Sequence, residues 1–292
     1  RGCKAAEIIG DEAVELVADG AVEVSRIGQD TTSYGVGEDA IEGGLAGLLR
    51  RLDRVDGVGW IRLMYAYPSV MTDEMIDAIA ESQRVCKYID IPLQHINDRM
   101  LKAMHRRVDR AKTERLLFRI RHRLPGVAIR TTMIAGFPGG TEGEVAELAE
   151  FVRGFQFDAL GVFPYSQEDD THAYILGDPL PSDVKEERIT RIMELQRSIS
   201  EEKNQQLIGR TMRVLIEEQV GERRVESEEW RVESDEWRVM SGEWRGRTER
   251  DAPEVDNEVY VRSSTPLVPG DFVDVEIEDA AEFDLFGSVP RA

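Results

Sequence analysis

Residues 127–142 read Val-Ala-Ile-Arg-Thr-Thr-Met-Ile-Ala-Gly-Phe-Pro-Gly-Gly-Thr-Glu. The apolar, β-branched run from Val127 to Ala135 predicts a strand, and Gly136 to Gly140 predict a turn. Thr141 then caps an acidic helix that runs to Gly154. The same strand, turn and helix pattern extends to both sides. Strands are predicted near residues 22, 60, 88, 127 and 157, and helices at 4–18, 45–54, 72–82, 109–123 and 141–154. Alternation at this spacing specifies an α/β fold built of βαβ units with parallel strands. The alternatives are an open doubly wound sheet and a segment of a barrel. No Gly-x-Gly-x-x-Gly follows the first strand and no Walker loop is present, so ordinary dinucleotide and P-loop chemistry find no support.

Punctuation residues sharpen the elements. Ile8, Val14, Leu16 and Val17 are assigned to one stripe of the first helix, which Gly20 stops. Pro68 ends the strand Trp60 to Ala66, and Pro92 ends Tyr88 to Ile91. Thr72 caps the third helix, and Pro125-Gly126 break the basic helix 109–123. Beyond residue 165 the pattern changes. Residues 166–183 read as a polar surface connection, and 184–207 as a long charged helix with Ile189, Ile192, Met193, Leu195 and Ile199 as its apolar positions. From Thr211 onward short strands predict a small antiparallel β-barrel. The expected domains are therefore 1–207 and 208–292.

Within the second lies a period-seven repeat marked by Trp230, Trp237 and Trp244. Val and Trp alternate at spacings of five and two, which gives no coiled-coil seam. An odd period sends successive Trp residues to opposite faces of a strand. The repeat at about 224–245 reads as an expanded loop or hairpin extension, with a three-Trp binding site as the alternative.

The 292 residues carry 37 Lys+Arg against 57 Asp+Glu, a net charge of −20, with two cysteines and four histidines. This composition excludes disulfide scaffolds, collagen-like chains and full disorder. No apolar run is long enough for a membrane helix, no signal-peptide core opens the chain, and a cytoplasmic protein is expected. Acidity argues against general nucleic-acid binding and for a basic partner, or for solubility alone. From Arg213 onward there are 22 acidic and 10 basic residues.

Parallel α/β folds place function at strand exits. Four exits are unusual: Gln29 to Gly35, Asp90 to His95, Arg130 to Glu142, and Phe163 to Ser166. His95 is the best ionisable candidate, as a ligand contact or as a structural hydrogen-bonding group. Arg130 either faces inward to pair with a carboxylate or faces solvent. His105, His122 and His172 read as surface residues, and Cys86 as a buried inert thiol. Cys3 lacks a CxxC partner.

Together, Gln-Asp-Thr-Thr-Ser-Tyr-Gly at 29–35, Tyr-Ile-Asp-Ile-Pro-Leu-Gln-His at 88–95 and Ile-Arg-Thr-Thr-Met-Ile-Ala-Gly-Phe-Pro-Gly at 129–139 resemble the radical S-adenosylmethionine methylthiotransferases. So do Leu-Gly-Val-Phe-Pro-Tyr-Ser at 160–166, Lys-Asn-Gln-Gln-Leu-Ile-Gly at 203–209 and Asp-Ala-Pro-Glu-Val-Asp at 251–256. Gln29-Asp30-Thr31 and Leu93-Gln94-His95 resemble the branch that modifies an aspartate of a small-subunit ribosomal protein, rather than the tRNA-modifying, MiaB-like branch.

The resemblance implies an incomplete TIM-like barrel followed by a TRAM-like β-barrel. It implies S-adenosylmethionine and a [4Fe-4S] cluster held by a Cys-x3-Cys-x2-Cys loop as cofactors, and a basic ribosomal protein as partner. Position at the strand exits then assigns Gln29, Asp30 and Thr31 to the methionyl part, Gln94 and His95 to ribose or substrate, Arg130 to a carboxylate, and the Gly136–Gly140 turn with Pro138 to adenine. No metal ligand is assigned. With only Cys3 and Cys86, this chain is expected to be a C-terminal portion that is inactive alone; a degenerate, non-catalytic binding module is the other reading.

Overall fold

The computed structural model describes residues 3–26, 28, 30–36, 41–220 and 242–290. The chain forms two compact units, Arg1–Ile199 and Ser200–Ala292.

The first unit holds five parallel strands: β1 Glu23–Arg26, β2 Trp60–Leu63, β3 Tyr88–Asp90, β4 Ala128–Ala135 and β5 Ala159–Pro164. β1 pairs with β2, and β3, β4 and β5 form a second ladder. The two ladders meet through a bridge between Ile61 and Val85 and a hydrogen bond from Ala66 N to Asp90 O of 2.8 Å. Spatial order thus follows chain order without reversal. That is a barrel segment, since a doubly wound sheet reverses direction at its switch point.

Side chains alternate between the two faces of this wall. Ile61, Leu63, Ile89, Ile129 and Met133 join the core beneath the helices. The other row carries Glu23, Arg62, Asp90, Arg130 and Thr132, placed side by side by the strand registers. Arg62 and Glu23 form a 2.8 Å ion pair with side chains 0% and 6% exposed. The Arg62 guanidinium also lies over the rings of Trp60 and Tyr88. Such a pair is retained only where its geometry offsets the cost of dehydration.

The helices are α1 Ala6–Ala18, α2 Gly44–Leu52, α3 Asp73–Glu81, α4 Asp98–Ala103, α5 Arg110–Arg123, α6 Glu142–Phe155 and α7 Ser182–Gln205. α2 buries Leu45, Leu48, Leu49 and Leu52 at helical spacing. α3 and α6 begin as the sequence predicts. Thr72 Oγ1 accepts from Met75 N, and Thr141 with Glu144 closes a capping box.

α1 corrects the expected stripe. Ile8, Val14 and Leu16 are exposed, whereas Ile9 and Ala13 are buried and Val17 packs beside them. The buried face runs i, i+4, i+8 through a small residue, which a search for large apolar side chains passes over. α4 fills a stretch to which no element was assigned. A 3-10 turn, His172–Leu176, likewise occupies part of the expected connection.

α7 also differs from its reading. Ile192 and Ile199 are core residues, but Lys185, Arg188 and Gln196 are buried on the same face. These polar groups serve main-chain acceptors: Lys185 Nζ donates to Tyr165 O at 2.9 Å and Gln196 Nε2 to Phe157 O at 3.0 Å. Ile189, Met193 and Leu195 are only half-buried.

The second unit is a closed barrel of β6 Thr211–Val220, β7 Gly242–Thr248, β8 Val259–Ser263, β9 Phe272–Ala280 and β10 Leu285–Ser288, in the order β10-β8-β7-β6-β9. Every pair is antiparallel, as expected of a small antiparallel barrel, except β8 with β10, which is parallel. Val214, Ile216, Val259, Val261, Val275 and Ile277 fill it. Gly246 and Gly287 face carbonyls of the neighbouring strands so closely that a Cβ would overlap Leu215 O and Glu276 O. Trp244 stands in β7 and is buried, so it belongs to the barrel core and not to a loop. Trp230 and Trp237 lie outside the described residues.

Candidate ligand-binding site at the strand exits

The exits of β3, β4 and β5 converge on a cavity of about 580 Å³. Gln94, Thr132 and Phe163 line it from the strand side, Phe137 from the glycine turn, and Arg106 and His172 from the far wall. This volume falls within the range of small-molecule sites.

Gln94 is held there in an unusual backbone conformation, with φ of 72°. Its N–H donates to Thr132 O and its carbonyl accepts from Ile134 N, both at 2.9 Å, which fixes the strain against β4.

Arg106 is a residue the sequence reading did not single out. Its guanidinium lies 4.4 Å over the Tyr67 ring, and one Nη donates to Pro92 O at 2.5 Å. Its Nε is buried without a partner, and no carboxylate of the described residues lies within ion-pair distance. Burial pulls this guanidinium below its ordinary pKa, with Tyr67 and Asp30 opposing. This half-buried cation touches no carboxylate among the described residues, and an anion bound in the cavity gains a charge-assisted pair there.

The turn from Gly136 to Gly140 is clamped from three sides. Arg99 donates to Gly139 O at 2.8 Å and Arg188 to Gly140 O at 3.3 Å. The Lys185 stem lies against Gly136, whose φ is 81° and whose added Cβ would sit 2.6 Å from Lys185 Cγ. Only glycine meets both requirements. Pro138 is half-buried in this turn. Glu144, paired with Arg99 at 2.5 Å, has its pKa lowered to about 2, with the Arg99 hydrogen bond as the leading cause.

His95 is buried beside this turn. Its Nδ1 accepts from Ile96 N at 2.9 Å and Asn97 N at 3.0 Å, so the ring proton resides on Nε2. Burial lowers its pKa to about 4. His95 is therefore neutral and structural at its Nδ1 edge. Arg130 faces inward and pairs with Asp90 at 2.9 Å, so its carboxylate is the protein's own. Asp90 also accepts from Tyr65 N at 3.1 Å.

The loop after β1 is docked onto the end of β2. The Thr31 hydroxyl is buried and donates to Met64 O at 2.6 Å, while Asp30 accepts from Thr32 and Ser33 hydroxyls at 2.5 Å each. Neither residue lines the cavity. Gln29 lies outside the described residues. The structure thus brings Gln94, Phe137 and Arg106 to the cavity, sets Gly136 against Lys185 with His95 beside it, keeps Pro138 off the cavity wall, and gives Asp30, Thr31 and Arg130 scaffold partners. His105 and His172, expected as unrelated surface residues, are exposed but meet at the cavity with ring centroids 3.8 Å apart. Cys86 is buried and Cys3 exposed.

A parallel barrel segment with a cavity at its strand exits, joined in sequence to a small closed β-barrel, is an enzyme-like α/β unit with a separate small β module. The Radical SAM superfamily model matches residues 5–152 and the TRAM domain model residues 208–289, and the chain belongs to the radical SAM superfamily. Within it the chain is similar to the ribosomal protein uS12 methylthiotransferases RimO. Identity is 45% over 270 residues with that of Cytophaga hutchinsonii, covering 92% of this chain and 57% of the relative. It is 41% over 288 residues with that of Aquifex aeolicus, covering 98% and 62%. The chain therefore spans little more than half the length of these relatives. Among solved structures, Escherichia coli coproporphyrinogen III oxidase, a radical SAM enzyme, shares the fold at a TM-score of 0.50 and 16% identity, over 65% of this chain and 46% of that one.

The superfamily's two cofactors fare differently against these residues. S-adenosylmethionine fits the cavity: a guanidinium at Arg106 without a carboxylate partner among the described residues, apolar walls at Phe137 and Phe163 for a ring, and an amide at Gln94. A [4Fe-4S] cluster does not fit. It needs three or four thiolates, while Cys86 is buried, Cys3 stands alone, and no group of three His, Cys, Asp or Glu among the described residues is placed to hold a metal.

Proposed function

We propose that this chain is the adenosylmethionine-binding and substrate-recognising portion of a cytoplasmic methylthiotransferase acting on an aspartate of ribosomal protein uS12. The observation that carries this reading is Arg106, a half-buried guanidinium without a carboxylate partner among the described residues, in a cavity that Phe137 of the glycine turn also lines. Arg106 receives the methionyl carboxylate in a charge-assisted pair. Phe137 of the glycine turn borders the adenine from the cavity wall, and Gln94 hydrogen-bonds the polar part of the nucleoside. When bound, S-adenosylmethionine supplies the methyl and radical chemistry of its superfamily. These residues bind and orient it. Taken alone, the 292 residues hold no cluster and do not turn over. The acidic second unit favours a basic protein over RNA by charge complementarity.

Calorimetry with S-adenosylhomocysteine and 5′-methylthioadenosine tests the site, because the second ligand lacks the carboxylate. The parent chain is expected to prefer S-adenosylhomocysteine. In Arg106→Ala that preference is expected to fall by about tenfold or more, the loss of one charge-assisted pair. Equal binding of both ligands by the parent refutes the assignment. Iron analysis and a 5′-deoxyadenosine assay on the same protein are expected to read zero, and turnover would refute the inactivity.

A further inference from the structure

The cavity mouth carries a surface that nucleoside binding leaves unused. After β5 the chain crosses the mouth as a strap, residues 166–178. It contains Glu168, Asp169, Asp170 and Asp178, with no Lys or Arg. The strap is held in place from beneath. The Tyr165 hydroxyl donates to Ala173 O at 3.2 Å, Gln167 Nε2 donates to Tyr174 O at 2.8 Å, and Ala173 packs on Met100, Phe137 and Tyr165. Yet its outer side presents Tyr174, Ile175 and Leu176 at 46%, 80% and 44% exposure, and Phe163 on the cavity wall is 55% exposed. An anchored turn that holds three large apolar side chains in water, with a fourth at Phe163 on the neighbouring strand, marks an interaction site.

Charge selects the occupant. Asp178 is bound to Lys185 at 2.5 Å. Glu168, Asp169 and Asp170 have no cationic partner among the described residues, so the apolar strip is bordered by uncompensated negative charge. A phosphate backbone is repelled there, and a cationic polypeptide is attracted. We propose that the strap is the docking surface for a basic polypeptide segment of the protein substrate. Apolar side chains of that segment cover Tyr174, Ile175 and Leu176, its Lys and Arg residues face Asp169 and Asp170, and one side chain enters the cavity beside Phe163. This names a recognition surface for the reading above and rests on that reading.

Fluorescence anisotropy with labelled uS12 and, separately, a labelled single-stranded RNA tests it. Two variants lie outside the cavity lining: Ile175→Ser, and Asp169→Asn with Asp170→Asn. Each is expected to weaken uS12 binding about tenfold, as loss of an interface anchor does, and the second to flatten the salt dependence. Both are expected to bind S-adenosylhomocysteine as the parent does, which also reports that they fold. Parent-like uS12 affinity in both variants, with S-adenosylhomocysteine still bound, overturns the docking surface alone. Loss of S-adenosylhomocysteine binding by the parent overturns the functional reading. RNA binding tighter than uS12 binding, or uS12 binding indifferent to salt, also overturns the docking surface.

Discussion

His95 illustrates how a residue near a ligand site is committed to the scaffold. Its Nδ1 satisfies two main-chain donors, Ile96 N and Asn97 N. Alanine leaves both unsatisfied and is expected to cost about 2–3 kcal/mol in denaturant unfolding. Asparagine offers an acceptor near the same point and is expected to recover most of that loss. The pH dependence follows from the folded pKa of about 4 against 6.5 unfolded. Between those values the unfolded chain takes up a proton that the folded chain does not. Stability from His95 is therefore complete above about pH 6.5 and lost progressively towards about pH 4. Unfolding of His95→Asn across that window is expected to show a shallower acid limb than the parent, and an unchanged limb would refute the role. The sequence offered both a ligand and a structural reading for this residue, and only the partner distances separate them. Arg106 was less legible still. It sits in the run His105-Arg106-Arg107, and its isolation from carboxylates is a tertiary fact that no spacing encodes.

At the scale of elements, punctuation was the reliable signal. Pro92, Pro125-Gly126 and the caps at Thr72 and Thr141 mark their boundaries because each acts on its own backbone. Faces were harder to read. The buried side of α1 runs through the small Ala13, and that of α7 through Lys185 and Arg188, whose donors meet carbonyls in the segments that follow β4 and β5. α4 spans six residues, too few to show a period. In the small barrel the decisive residues are glycines whose role depends on the partner strand. Gly246→Ala drives a Cβ into the Leu215 carbonyl. It is expected to unfold the second unit while leaving S-adenosylhomocysteine binding to the first intact. Calorimetry paired with far-ultraviolet dichroism checks this, and native dichroism in the variant would refute it.

For the whole molecule, two units with separate cores predict two unfolding transitions rather than one. A ligand bound to one unit stabilises that unit by mass action. Saturating S-adenosylhomocysteine is expected to raise one transition in scanning calorimetry and leave the other in place. A single transition, or an equal shift of both, would show the units to unfold together.

The closure of the small barrel has a practical consequence. Because β10 pairs with β8 on one side and β9 on the other, the barrel presents no open edge to a neighbouring chain. β6 and β7 remain paired up to Val220 and Glu243. Protein engineers gain two attachment points there. A fluorescent reporter or a cross-linking handle coupled to those two side chains leaves every described strand of the barrel hydrogen-bonded to its neighbours.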